Sequence, residues 1–177
     1  MSGFVAGLLH PLVLPAHVLA LLALGLLIGQ QMAGRQIVSL AAFVIGLAVG
    51  LTAIAFAVGQ TLAADVLLAV AFVSGAFAAM ARPLPALAYA LLAAIAGVAL
   101  GLDSPPETVS IAVATAMLIG TGLGASLALA VIVAGTSYLF GVHEWIWARI
   151  GGRILGSWIA ASAILVLALR FARGQLF

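Results

Sequence analysis

The chain has 177 residues, 67% of them hydrophobic and 6% charged, with a mean hydropathy of +1.41. Soluble domains usually carry about 25% charged residues, so six arginines and four acids, with no lysine, cannot build a water-facing surface. Cysteine is absent, which excludes disulfides, thiolate metal ligands and thiol chemistry. The net charge of +2 comes from arginines at the ends of apolar runs and reports membrane orientation, not affinity for nucleic acid. The first ten residues lack a basic segment, so no cleavable signal peptide is expected.

Apolar runs near the length of a membrane-spanning helix recur along the chain. Backbone groups in lipid need internal partners, and the ten-residue alternation of a barrel is absent, so the runs are read as helices. The expected fold is all-α, a single polytopic transmembrane helix bundle over residues 1–177. Helix 1 runs from Pro11 or Pro15 to about Gln30. Proline suits a first helical turn and disrupts later ones, so the pair suggests a broken start, with the regular helix beginning at Pro15.

Helix 2 covers roughly Gln36 to Val58 and helix 3 about Leu62 to Met80, with Asp65 in its first turns. Residues 81–85 form a turn, helix 4 follows to Gly101, and residues 102–107 (LDSPPE) are the clearest break. Thr108 to Gly141 is apolar throughout, roughly 50 Å if wholly helical at 1.5 Å per residue, against a core of about 30 Å. Two full spans do not fit. One broken or extended helix 5 is the preferred reading, and a split near Gly120–Gly124 is the alternative. Residues 142–153 read as an interfacial linker with Trp145 and Trp147 in the headgroup belt, and the last helix covers about Ile154 to Leu169. Six spans result, or seven with the split.

With six spans Arg35, Arg82, Arg149 and Arg153 fall on one side, and Arg170 and Arg173 on the other. The positive-inside rule then puts both termini outside; with seven spans the N-terminus is still outside. A bacterial inner membrane is the expected location. Glycines four apart at 25/29, 46/50, 97/101, 120/124 and 152/156 allow close helix approach, the packing route open to helices in lipid.

Few polar residues can carry chemistry. His10 and His17 are seven apart and would share a face of a continuous helix, but prolines intervene. Under six spans His10, Asp65, Asp103 and Glu107 share the outer side, with His17 just inside, which forms a candidate ligand set for a divalent cation. The blander reading has His10 in the interface and His17 bonded to a backbone carbonyl or hydroxyl. Asp65 serves either as a cation or proton relay or as a satisfied helix-end carboxylate. His143 and Glu144 read as an interfacial anchor or a docking patch. Residues 120–124 and 151–153 lack the features of a nucleotide loop. No resident cofactor follows from the sequence, and haem would have only His17.

The segment HPLVLPAH resembles the opening motif of the HupE/UreJ family of small membrane proteins. His10, Pro11 and His17 match, while the family's glycine and aspartate are Leu14 and Ala16. A second motif aligns with AIAGVALG, where Gly97, Ala99 and Gly101 match and the histidine positions hold Ala96 and Leu100. A helix-5 histidine corresponds to Ala130, and Gly152, Arg153 and Gly156 resemble the closing segment. The resemblance implies a nickel or cobalt permease with the cation as cargo. Alanine and leucine offer no donors, so a family-type pathway would keep only His10 and His17. The alternative is a non-transporting structural or assembly subunit of a larger membrane complex. A membrane enzyme is less favoured than either, for want of paired catalytic groups. The bilayer, a complex partner or a second copy are the expected partners, with no nucleic acid and no nucleotide.

Overall fold

A computed structural model describes residues 3–54, 60–106, 110–142 and 146–174. These form α1 (Gly3–Val13), α2 (Pro15–Gly29), α3 (Ala33–Ala53), α4 (Gln60–Met80), α5 (Ala86–Leu102), α6 (Ile111–Ser137) and α7 (Ile146–Gly174). A π-helical turn, Tyr138–Val142, prolongs α6. Glu107, His143, Glu144, Trp145 and the expected end of helix 2 at Val58 lie outside the described residues.

The break expected between the two prolines falls at Leu14. A residue before proline is pushed out of the helical region, and Leu14 is extended, at φ −82° and ψ 121°, with Pro15 opening α2. The axis turns by 70° there. Pro11 is held inside α1, so the residues ahead of Pro15 form a helix of their own.

The apolar stretch does not split from Ile111 onward: α6 crosses the Gly120–Gly124 segment without interruption. The linker expected at 142–153 is corrected, because α7 is already helical from Ile146 and takes in Trp147 through Arg153. Helix 2 begins earlier than expected, at Ala33. Ala81 ends α4 at φ 51°, a left-handed conformation that costs a non-glycine residue about 1–2 kcal/mol. The 82–85 turn is pinned where the Leu84 N–H donates to Tyr89 Oη at 3.2 Å.

Among the described residues four helices are long and apolar enough to cross a membrane, at residues 34–53, 62–80, 111–140 and 147–172, and α1 with α2 make a fifth if the bent pair is one span. Helix α5, with 17 residues, rises only about 25 Å. Large apolar side chains such as Val13, Ile37, Ile45, Leu127, Val131 and Trp158 are exposed on the outside. Such a surface is stable against lipid, not water.

Helix α2 sits in the centre. Ala20, Leu21 and all residues from Ala23 to Gly29 are buried, and α2 packs mainly on α4 and α6. Around it, α3 packs on α5, α1 on α6, and α4 on α7. Glycine sets these contacts. A Cβ on Gly46 or Gly50 would fall on the carbonyls of Ala94 or Val98, and one on Gly97 would fall on the Phe43 carbonyl. Gly120 and Gly124 meet the α1 carbonyls of Phe4 and Leu8, and Gly75 and Gly156 each face the other's carbonyl, 2.8 Å from where a Cβ would lie.

The order of these contacts gives the directions. Residues rise together in α3 and α5, and in α2 and α6, so those pairs are parallel; α4 and α7 run opposite ways, Arg153 bonding Ala79 and Arg170 bonding Asp65. Arg35, Arg82, Arg149 and Arg153 consequently gather at one end of the bundle. Asp65 and Arg170 lie toward the other, as do His17 and Asp103, set deeper beside α6. Gly97→Val should lower the unfolding midpoint in detergent by the equivalent of about 1–3 kcal/mol, the usual cost of overpacking. Gly135→Val, where a side chain would meet nothing within 4 Å, should leave it nearly unchanged.

Candidate cation site

His17 lies in the first turn of α2 and is completely buried. Its Nε2 stands 3.0 Å from Oδ2 of Asp103, the residue that closes α5 and is 24% exposed. Asp103 closes a helix, an end where the dipole does not favour a carboxylate, and the bond to His17 compensates it. An ionised carboxylate can only accept, so Nε2–H donates to Asp103 and the lone pair is left on Nδ1. That Nδ1 is buried and has no hydrogen-bond partner among the described residues.

His10, near the end of α1, brings its ring to 5.6 Å from that of His17, edge-on at 72°. The bend at Leu14 thus carries out what a continuous helix would have done by spacing. Thr121 fixes α1 in place, donating to the Gly7 carbonyl at 3.2 Å. His17 lies two turns before Gly25, which faces Ile132 of the parallel α6. It is therefore level with about Gly124, roughly 20 Å from the start of α6 at 1.5 Å per residue.

Of the residues singled out from the sequence, His10, His17 and Asp103 come together. Asp65 does not join them: its Oδ1 accepts from Arg170 Nε at 2.5 Å on the α4–α7 flank. Among the described residues no three of His, Asp and Glu form a ready-made metal cage; the three gathered groups make a chain of contacts instead. The blander expectation for His17, a backbone carbonyl or hydroxyl partner, gives way to a carboxylate.

At the opposite end, sequence reasoning missed Gln36. Its Nε2 donates to the Gln31 carbonyl at 2.7 Å, to Ser137 Oγ at 3.0 Å and, more distantly, to the Gly29 carbonyl at 3.4 Å, tying α2, α3 and α6. An amide at the head of an apolar run was the available signal, since it must find partners there.

Residues 1–166 match the family model described as HupE / UreJ protein. The chain belongs to the HupE/UreJ family. No curated protein and no solved structure matches it. HupE/UreJ proteins are a transporter class, and the long apolar helices suit a membrane permease of that kind.

Asp103→Ala should destabilise this HupE/UreJ chain by about 1–3 kcal/mol, because it strands a buried imidazole donor. His17→Phe, which removes the donor and keeps a ring, should make the later loss of Asp103 nearly costless. A double-mutant cycle read by detergent unfolding should therefore give a coupling of at least about 1 kcal/mol.

Proposed function

We propose that the protein is a HupE/UreJ-type permease that admits a divalent cation of the nickel or cobalt class at His17. One observation carries this reading: the buried Nδ1 of His17, unpartnered among the described residues, whose other nitrogen is held by a carboxylate. Metal-binding histidines characteristically donate their second N–H to a carboxylate or carbonyl, which fixes the ring and raises its basicity. Imidazole suits nickel and cobalt better than it suits magnesium or calcium. His17 is thus the first donor, His10 the nearest second, and Asp103 the orienting group. In this reading Asp103 supplies from α5 the carboxylate that the family motif carries where this chain has Ala16. Asp65, tied to Arg170, stands apart from this set, and Glu107 keeps only its sequence-based place as a candidate ligand.

The same reading takes all six helices α2–α7 as spans, with α5 as a short one. A span of about 25 Å meets only a thinned or recessed stretch of bilayer, which suits a site set below the start of α6. The arginine end faces the cytoplasm by the positive-inside rule, so the histidine end faces out and the N-terminus lies outside, in a bacterial inner membrane. A cation reaching His17 would exchange water for imidazole nitrogen. Nothing in the chain suggests an energy source of its own.

A second reading is a non-transporting structural or assembly subunit, and one observation favours it. Below His17 the buried face of α2 is aliphatic as far as Gly29, while the grooves between α3 and α6 are apolar and open outward. Ser74, buried with its hydroxyl unpartnered among the described residues, is a polar interruption in that interior.

Calorimetry with nickel and cobalt on the purified protein separates the two. The permease reading expects micromolar binding that disappears in a His10→Ala, His17→Ala double variant. It also expects Asp103→Asn to weaken binding about 10–100-fold, as loss of an orienting partner does. Absence of binding to the intact protein would sink the cation site and leave the subunit reading.

A further inference from the structure

The arginine end holds a cleft that the transport reading does not use. It has a volume of about 340 Å³ and is lined by Gln30, Ala81, Phe140, Arg149 and Arg153. The grooves between α3 and α6 and between α4 and α5 are aliphatic by comparison. Arg149 and Arg153 are one turn apart on α7, so they share a face. Arg153 is braced from behind, its Nε donating to the Ala79 carbonyl at 2.9 Å near the end of α4. That single bond leaves the terminal nitrogens of its guanidinium to the cleft.

Charge makes the cleft selective. Among the described residues the carboxylates are Asp65 and Asp103, both at the opposite end, and neither Arg149 nor Arg153 forms an ion pair. The cleft wall is narrow where Phe140 lies against Gly152, which has no side chain to hold the ring away. Beside the arginines, α7 presents Trp147 (77% exposed), Ile150 and Ile154 outward, a surface suited to the interface and the upper acyl chains. A ligand that fits both parts has a phosphate head and a hydrocarbon tail.

We infer that this cleft binds the phosphate headgroup of an anionic phospholipid in the leaflet at the arginine end. Paired guanidinium groups recognise phosphate oxygens through charge-assisted bonds, and basic pockets between membrane helices on the cytoplasmic side hold such headgroups. The bound lipid would neutralise the cleft and clamp the end of α4 against α7. This inference does not depend on the cation site.

The test is titration of the full-length protein in detergent with phosphatidylglycerol, phosphatidylcholine or inorganic phosphate, followed by native mass spectrometry and thermal unfolding. Phosphatidylglycerol should bind the intact protein at least tenfold more tightly than phosphatidylcholine and should raise the unfolding midpoint. Arg149→Gln, which breaks no bond among the described residues, should weaken phosphatidylglycerol about fivefold, and the Arg149→Gln, Arg153→Gln pair roughly thirtyfold. Arg35→Gln, at the same end but outside the cleft, should bind like the unaltered protein. Equal binding of the two lipids, or equal loss in Arg35→Gln and Arg149→Gln, would overturn the inference. A response to inorganic phosphate as large as that to phosphatidylglycerol would assign the cleft to a soluble anion instead.

Discussion

Helices in lipid gain little from hiding apolar side chains, since the lipid is as apolar as the core. What remains is contact, and in this bundle the contact is backbone on backbone at glycine. Gly46, Gly50, Gly97 and Gly101 close α3 onto α5; Gly7, Gly120 and Gly124 close α1 onto α6; Gly75 and Gly156 close α4 onto α7. Everything else depends on that closeness. It lets α2 pass through the middle with aliphatic packing on every side, and it fixes the levels at which polar groups meet.

The candidate site is a consequence of how α2 begins. Proline at position 15 forbids Leu14 a helical conformation, and the resulting bend separates α1 from α2 while keeping their facing ends together. His17 is thereby delivered, fully buried, to the end of α5 and to Asp103. A histidine so placed has one nitrogen spoken for and one without a hydrogen-bond partner among the described residues. The cost of leaving that acceptor bare is about 1–3 kcal/mol, set against the close packing of α2 on α6 at Gly25 and Gly29.

Much of the architecture was legible from the sequence, because hydrocarbon imposes simple rules: long apolar runs, prolines at breaks and glycines four apart. The broken start at Pro15 and the glycine pairs were readable for that reason. The reach of α7 back to Ile146 was not, because Trp147 and the basic residues around Arg149 read equally well as an interfacial loop. The site was only half legible. His10 and His17 stood out as rare ionisable groups in an apolar segment, but sequence offers no means of choosing among the acids expected at the same end of the helices. Asp103 and Asp65 look alike there; packing sends one to His17 and the other to Arg170. Gln36 passed unnoticed because an uncharged amide does not announce the three helices it joins.

Reconstitution into proteoliposomes tests the central claim most directly, with uptake of radioactive nickel or cobalt measured beside a His17→Ala variant in the same lipid. Saturable uptake by the intact protein, abolished in the variant while the helical content is preserved, is the expected result. Equal uptake by the two, or none by either in correctly oriented vesicles, would contradict a cation pathway through His17.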